Sequence, residues 1–510
     1  MKKYSVGITC YCILLCFFTA CNKKLELTPV STYSDASFWK SPEQVDVFVI
    51  GMHIALRSTN YQLILLGEMR ADIFGTDPGS SSAFTGESTA GLERMWTNNL
   101  NQDNPGVANY ANFYFNINQI NLLIDKINTV PLMDAGTKNY YLGIAYGMRA
   151  YYYFHLLRSW GKTVLQTTPT LNIDISQLAK AASSEDSVMA QIKSDIESSV
   201  SSFGNDYTFK SQKGFWSKAA TLMLKSEVYL WTSYRGGGAS DAATAKTALT
   251  NIQTHAPQLA LQPNYASVFS PANKGNNEII FALKYKLDEA QMPFANPFFP
   301  QSGLIANFYD SAGNRKFNVT TDNWGGLLSA PVKIAAYRKF SDLDSRKWVS
   351  IQGAYNLVNG AYQIAGAFVN KYQGEQNAGI RQFTNDFPIY RYADLLLLLA
   401  EAKIALGEDP ATEINAIRSR AYGTSYNTGT LGYPNQTVDA NPKEAILKER
   451  YLEFVFEGKR WYDLRRMGDQ YVFEHTTIPS DQSYKLLWPV DRNTLTNNRL
   501  LTQTPGYGSF

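Results

Sequence analysis

Apolar residues recur with the period of an α-helix over much of the chain. Between Tyr140 and Trp160, the small residues Gly143, Gly147 and Ala150 fall on one stripe, with aromatic and leucine residues following them. Small side chains on one stripe allow two helix axes to approach closely. The pattern therefore predicts a helix over 140–160 that packs tightly against a neighbouring helix.

The same periodicity predicts six further helices, over residues 187–203, 215–234, 242–255, 391–406, 412–421 and 443–467. Helix pairs of this length, with small residues where they cross, are similar to tetratricopeptide units, although the full repeat consensus is absent. We therefore predict a mainly α fold: a tetratricopeptide-like helix-pair scaffold with long loops and a few short β-hairpins.

The middle of the chain has a different pattern. From about residue 264 to 382 it is rich in Gly, Asn, Pro and aromatic residues, and only short runs such as 278–283 are β-like. This predicts a loop-rich insertion with short strands over 264–390. An N-terminal helical part over 41–263 precedes it, and a C-terminal helical part over 391–510 follows.

The first twenty residues predict an export signal. Lys2 and Lys3 precede an apolar stretch over 8–18 that is too short to span a bilayer, and small residues lead directly to Cys21. This ending resembles a lipobox, so we predict a lipoprotein signal peptide over 1–20 and a lipidated N-terminus and linker over 21–40. An ordinary signal with an incidental cysteine is the alternative.

Composition excludes several kinds of chemistry. Lys and Arg total 47 against 44 Asp and Glu, so no nucleic-acid partner is expected. No cysteine occurs beyond Cys21, which excludes disulfides, thiolate metal sites and cysteine catalysis from the rest of the chain. The four histidines are isolated, and no phosphate-binding loop or nucleophile elbow occurs. We expect no cofactor and no metal, since the partial calcium-like loop over 310–314 lacks its terminal Glu.

Glu449, Glu453 and Glu457 recur every four residues, so on one helix they would share a face. That spacing could hold a metal or an acid/base pair. The alternative, which the abundance of arginine in the same segments favours, is a structural ion-pair network. Its expected basic members are Arg391, Arg418, Arg450, Arg460 and Arg465.

Aromatic residues make up 13% of the chain, with 32 Tyr and 9 Trp. Flat rings on loops, beside amides, carboxylates and guanidinium groups, can bind a ligand that has both an apolar face and hydroxyl groups. Two loop clusters combine these residue types and are candidate ligand-binding sites: Arg70, Asp72, Trp96, Asn98, Asn99 and Asn101, and Trp324 with Phe298 and Tyr309. Ordinary packing is the alternative for Trp96 and Trp324. Core packing is predicted for the tryptophans in helical or motif segments, Trp39, Trp160, Trp216 and Trp461.

Several motifs, in order along the chain, resemble those of the SusD/RagB family of Bacteroidetes outer-membrane lipoproteins. The most specific are the block at 449–465, which includes Phe456-Glu-Gly-Lys-Arg-Trp-Tyr-Asp463, and the ending Gln503-Thr-Pro-Gly-Tyr507. Ser37-Phe-Trp-Lys-Ser41, Asn277-Glu-Ile-Ile-Phe281 and Arg391-Tyr-Ala-Asp394 add to the resemblance. It implies a helical fold on tetratricopeptide-like pairs and a lipid anchor in the outer membrane, facing the cell surface.

The resemblance also implies capture of an oligosaccharide or polysaccharide for a TonB-dependent SusC-like transporter, with both loop clusters near the ligand face. We therefore expect a binding protein and not an enzyme. Two alternatives stay open. One is a surface glycoside hydrolase, since hydrolysis needs only two opposed carboxylates. The other is a helical-repeat scaffold without a small-molecule ligand.

Overall fold

The computed structural model describes residues 38–76, 91–107, 110–131, 133–171, 178–310 and 313–508. The predicted signal peptide over 1–20, the lipidation site Cys21 and most of the linker lie outside the described residues. Among the helices within these ranges, none combines the length and the apolar character needed to cross a membrane.

From Tyr110 onward, the N-terminal helices pack in chain order, so that each lies against the next. Side-chain caps define several of their starts: the Asp134, Ser184 and Ser217 side chains accept hydrogen bonds from backbone N–H groups three residues on. Helix α4 packs on α1 and α5, α5 packs on α6, and α6 packs on α7, which packs on α8. The bounds are α1 Pro42–Ser58, α2 Asn60–Glu68, α3 Glu93–Trp96, α4 Tyr110–Lys126, α5 Ala135–Trp160, α6 Glu185–Phe203, α7 Lys218–Thr232 and α8 Gly238–His255.

The stripe of small residues on α5 allows the close packing that the sequence predicts. A Cβ added at Gly143 would lie 2.7 Å from the Phe203 ring, and one at Gly147 would lie 2.2 Å from Nε1 of Trp216. Side chains of neighbouring segments therefore fill the space that a larger residue at either glycine would need.

The middle of the chain contains all the described strands, joined by short helices. Strands β1 and β6 pair antiparallel, as do β2 with β3 and β4 with β5. Asn359 and Gly360 join β2 to β3, and their φ angles of 51° and 80° suit a two-residue hairpin turn. The bounds are α9 Tyr265–Phe269, β1 Ile279–Leu283, α10 Ala295–Phe298, α11 Ser302–Ile305, α12 Ile334–Arg338, α13 Ser345–Ser350, β2 Ile351–Val358, β3 Ala361–Val369, β4 Glu375–Asn377, β5 Ile380–Gln382 and β6 Phe387–Arg391.

Helices resume directly after β6. Helix α14 packs on α8 of the N-terminal part and on α15 and α17, so both helical parts share one core. This confirms the predicted mainly α, tetratricopeptide-like fold class. The bounds are α14 Tyr392–Leu406, α15 Ala411–Tyr422, α16 Thr428–Leu431, α17 Pro442–Phe454, α18 Arg460–Met467, α19 Asp469–His475 and α20 Arg492–Asn497.

The prediction of one continuous helix over 443–467 is wrong, because the chain breaks between α17 and α18. Phe456 and Gly458 have φ angles of 68° and 72°, which no α-helix contains. The break lies against the C-terminal end of α2: a Cβ added at Gly67 would lie 1.8 Å from the carbonyl oxygen of Gly458. Tertiary contact between two backbones thus overrides the helical periodicity of the segment.

Candidate functional site

The first predicted cluster lies largely inside the protein. The Arg70 guanidinium stacks between the rings of Trp461 and Trp488, at 4.6 and 5.0 Å from their centroids. It also donates from Nε to Oδ1 of Asn98 at 2.8 Å. The Asp72 carboxylate pairs with Arg460 and Lys339, and these cations hold its pKa well below the usual range. Both charges are thus bound to partners within the chain.

The tryptophan and the amides of that cluster separate in the structure. Trp96 is 6% exposed, and its ring lies against Gly75. Asn98 is buried between Arg70 and Thr477. Asn99 and Asn101 are exposed, but Oδ1 of Asn101 accepts hydrogen bonds from its own turn. The cluster therefore presents two surface amides and no exposed ring.

The second cluster divides in a similar way. Trp324 is 5% exposed and packs against Phe317 and Phe368, while Phe298 is 2% exposed and stacks on Phe74. Tyr309 is half-buried at the surface. The two predicted tryptophans thus lie in the core, and Tyr309 is the ring of the predicted set that reaches solvent.

Exposed aromatic rings are rare on the described surface. Eight of the nine tryptophans are at most 6% exposed, including Trp39, Trp160, Trp216 and Trp461, for which the core prediction is confirmed. Among the described Phe, Tyr and Trp residues, three are exposed: Phe115, Trp348 and Tyr362. Two of these three, Trp348 and Tyr362, lie in the insertion that contains Tyr309.

Contacts through rings, backbone, hydroxyl groups and one lysine join those two residues to three further aromatic residues, and we call the five together the aromatic strip. It consists of Tyr309, Tyr337, Trp348, Tyr355 and Tyr362. The Tyr309 and Tyr362 rings meet edge to face at 5.1 Å between centroids. The backbones of Tyr309 and Tyr355 exchange two hydrogen bonds of 2.8 Å, and the Tyr355 hydroxyl donates to that of Tyr337 at 3.2 Å.

A lysine connects the remaining ring. Nζ of Lys347 lies 4.2 Å from the centroid of Tyr337 and 5.2 Å from that of Trp348, a cation–π arrangement with both rings. Nε1 of Trp348 donates to the backbone oxygen of Asp342 at 3.1 Å, which fixes the indole. Burial and the Tyr355 hydroxyl raise the pKa of Tyr337, so its hydroxyl stays protonated and can donate.

Polar groups accompany the strip at both ends. Beside Tyr309, the Asp310 carboxylate lies 3.3 Å from the guanidinium of Arg315, half of which is exposed. Beside Trp348, the exposed carboxylate of Asp342 pairs with Lys347 at 2.5 Å. Flat rings flanked by charged and hydroxyl groups can hold a sugar by stacking and by hydrogen bonds to its hydroxyls.

The buried parts of the second cluster support this surface. Phe368, which contacts Trp324, belongs to β3, the strand that also carries Tyr362. The backbone N–H of Phe317 donates to the oxygen of Phe308, the residue before Tyr309. Tyr309 of the predicted cluster thus lies in the same insertion as the exposed Trp348 and Tyr362, which the sequence prediction did not include. The Asn359-Gly360 dipeptide between two β-like runs was the available signal, since it is typical of a hairpin.

The three glutamates spaced by four form a buried ion-pair network, as the sequence favours, and two of the five expected basic members, Arg391 and Arg418, belong to it. Glu449 binds Arg346 and Arg418, and Glu453 binds Arg346, Arg391 and Arg420. Glu457, in the break after α17, binds Arg391 and Lys371. Three of the expected basic members point elsewhere: Arg450 to Asp394 and Asp463, Arg460 to Asp72, and Arg465 to a backbone oxygen.

One group of potential metal ligands occurs among the described residues. Glu444, Glu474 and His475 each offer one atom, and these atoms lie within 4.8 Å of one another. His475 already pairs with Glu444 at 3.1 Å. The Asp310 carboxylate, from the calcium-like loop, accepts a hydrogen bond from the Arg315 backbone at 2.8 Å.

Helix pairs in tetratricopeptide-like order, with an inserted region of short strands, define this protein as a tetratricopeptide-like helical scaffold. A family model described as "SusD family" matches residues 340–507, and one described as "Starch-binding associating with outer membrane" matches residues 25–230. NanU from B. fragilis is 44% identical, with a TM-score of 0.86 over 94% of this chain and all of its own.

Two further relatives have SusD in their printed names. A SusD superfamily protein from Bacteroides vulgatus is 41% identical, with a TM-score of 0.84 over 92% of this chain and all of its own. Starch-binding protein SusD of Bacteroides thetaiotaomicron is 21% identical over 96% of both chains. This chain belongs to the SusD family, which confirms the resemblance read from its motifs.

Proposed function

We propose that this protein is a lipid-anchored glycan-binding protein of the cell surface, which holds an oligosaccharide or polysaccharide on the aromatic strip. The observation that carries the proposal is the exposure of Trp348 and Tyr362 in one inserted region, on a chain whose other described tryptophans are covered. The family description and the printed name of the starch-binding relative support a glycan as the ligand.

The geometry suits weak, extended contact. The exposed rings of Trp348 and Tyr362 and the half-buried rings of Tyr309 and Tyr355 can each cover a sugar unit but leave much of it hydrated, so each ring contributes little affinity. We therefore expect longer oligosaccharides to bind more tightly than short ones.

A glycan array probed with the mature chain, carrying Cys21→Ser to prevent lipidation, tests the proposal. For any glycan that binds, Tyr362→Ala and Trp348→Ala should each weaken binding at least about fivefold, since stacking on one ring contributes on the order of 1 kcal/mol. Phe115→Ala is the matched control, because it removes an exposed ring from α4, outside the strip. Equal affinity in all three variants would remove the strip from the binding site.

The other predicted ligands remain proposals with a separate test. Contact between a glycan and Trp96 or Trp324 requires their rings to become uncovered, so we expect a smaller role for them than for the strip. Trp324→Phe keeps a ring in the core and removes the indole. Loss of binding in this variant without loss of thermal stability would favour direct contact.

We propose binding without catalysis. The two carboxylates beside the strip, Asp310 and Asp342, are each paired with a cation. A glycosidase needs two carboxyl groups that are free to flank one glycosidic bond, whereas each of these two is already held by a basic side chain. Incubation of the purified chain with each bound oligosaccharide should release no shorter product. Product formation that Asp310→Asn or Asp342→Asn abolishes would favour the hydrolase alternative.

The anchor and the partner complete the proposal. We propose that lipid on Cys21 anchors the protein in the outer membrane, facing the cell surface, and that the captured glycan passes to a TonB-dependent SusC-like transporter. Cys21→Ser should move the protein from the membrane fraction to the soluble fraction. Gentle detergent extraction of the wild type should co-purify a large β-barrel protein, and its repeated absence would count against the partnership.

A further inference from the structure

A concave surface lies where the N-terminal and C-terminal helical parts meet. The segments that form it are distant in sequence from the aromatic strip. This surface is a cavity of about 670 Å³ between α4, the segment that follows α5, and α20. Cavities of this volume at the junction of two parts of a protein are typical small-molecule sites. Its lining includes polar residues from all three elements, among them Tyr114, Asn118, Gln166, Lys180, Asn497 and Asn498.

Hydrogen bonds hold the walls of this cavity in place. The backbone N–H of Lys180 donates to Oδ1 of Asn498 at 3.0 Å, and Nδ2 of Asn498 donates back to the Lys180 oxygen at 2.8 Å. On the opposite wall, the backbone N–H of Thr170 donates to Oδ1 of Asn118 at 2.7 Å. The Tyr114 hydroxyl donates to the Val164 oxygen at 3.0 Å. The cavity is thus largely formed before any ligand enters.

The lining has a distinctive chemistry. It contains four side-chain amides, several hydroxyl groups and one ammonium, on Lys180, which contacts Gln166, but no carboxylate among the described residues. Leu171, Leu178 and Leu501 supply apolar surface, and the first two are about half exposed. An amide both donates and accepts hydrogen bonds, as a sugar hydroxyl does, so each amide can bind a sugar hydroxyl through the N–H groups and lone pairs that its contacts within the wall leave over.

We propose that this cavity is a second saccharide site, which takes a short uncharged oligosaccharide of about two or three rings. The inference rests on the proposed glycan-binding function and adds a site that the aromatic strip does not include. Because no carboxylate occurs in the described lining, we expect the site to hold a saccharide without hydrolysing it. Two sites on one chain would also raise the affinity for a glycan that reaches both.

A filling substitution separates this site from the strip. Asn497 lines the cavity, whereas Asn493 is exposed on the same helix and does not. In a mature chain carrying Cys21→Ser, Tyr362→Ala and Trp348→Ala, an array of neutral di- and trisaccharides reports the binding that remains. Adding Asn497→Trp should abolish that binding, and adding Asn493→Trp should leave it unchanged. Matching thermal midpoints would show that both proteins fold.

A thiol probe supplies an independent readout. Because no cysteine follows Cys21, Asn497→Cys in the Cys21→Ser chain gives a single labelling site, and Asn493→Cys gives its control. An environment-sensitive fluorophore at residue 497, but not at 493, should respond to a trisaccharide that binds the cavity. The cavity proposal is overturned if residues 497 and 493 behave alike in both experiments, or if only anionic saccharides bind.

The outcomes also separate the two proposals. If saccharides bind and the strip substitutions alone remove all binding, the cavity proposal fails while the proposed function stands. If the wild-type chain binds no saccharide on the array, both fail together.

Discussion

Glu68 lies at the C-terminal end of α2, beneath the break between α17 and α18, and it carries a large, testable pH effect on stability. Its side chain is fully buried, and Oε1 accepts a hydrogen bond from the Gly458 backbone at 3.1 Å. Oε2 accepts none from the described residues. Burial raises the pKa of Glu68 to about 8, so the folded protein holds this carboxyl protonated at neutral pH.

The magnitude follows from linkage between protonation and folding. The unfolded chain loses this proton near the ordinary glutamate pKa of 4.5, whereas the folded chain keeps it up to a pKa of about 8. The unfolded state therefore binds fewer protons across this window, and the free energy of unfolding falls as pH rises. The penalty amounts to about 0.8 kcal/mol at pH 5 and about 3.4 kcal/mol at pH 7.

Glu68→Gln removes the titration and keeps an acceptor for the Gly458 N–H group. Urea denaturation at both pH values should show the stability of Glu68→Gln, relative to wild type, increasing by about 2.5 kcal/mol from pH 5 to pH 7. Any fixed cost of the amide cancels in this comparison. Glu43→Gln is the control: a hydrogen bond from Ser41 lowers the pKa of exposed Glu43 below its ordinary 4.5, so this carboxyl is ionised at both pH values and the relative stability of the variant should stay nearly constant. A relative stability of Glu68→Gln that is the same at both pH values would refute the reasoning.

Two further predictions concern buried groups and their exposed counterparts. Glu453→Gln leaves buried arginines short of a counter-charge and should lower the free energy of unfolding by about 3–5 kcal/mol. Glu408→Gln, in an exposed pair with Lys246, should lower it by less than about 1 kcal/mol in the same urea titration. Trp324→Ala opens a core cavity and should cost about 3–5 kcal/mol, whereas Trp348→Ala should cost about 0.5 kcal/mol. An equal loss of unfolding free energy for the two variants of either pair would contradict the burial of Glu453 or of Trp324.

The binding residues were harder to predict than the fold because aromatic residues serve packing and recognition alike. The sequence marks Trp324 and Trp348 equally, as tryptophans in a loop-rich region. Trp324 is covered because Phe368 of β3 and Phe317, from the loop that precedes Trp324, pack against the indole. Trp348 is exposed because α13 turns it outward while Lys347 fills the space beside it. The solvent exposure of a ring depends on which residues pack against it in the folded protein, and a local sequence pattern does not contain that information.

The glutamate spacing shows the same division. Periodicity places Glu449, Glu453 and Glu457 on one face of one helix, and the first two do lie on α17. Glu457 reaches the same network from a chain break, because Gly458 packs against Gly67 of α2. Arg346 and Lys371 join the network from the insertion, more than 80 residues earlier in the chain.

The sequence by itself determined the helical class of this protein, the stripe of small residues on α5 and the family motifs. Those features depend on local periodicity and on residues that the chain places side by side. Tertiary structure alone decided which rings reach solvent, which charges pair in the core, where the helix over 443–467 breaks, and that α4 and α20 enclose a cavity. Each of these depends on contact between segments that are distant along the chain, and the free energy of such contacts overrides local preference.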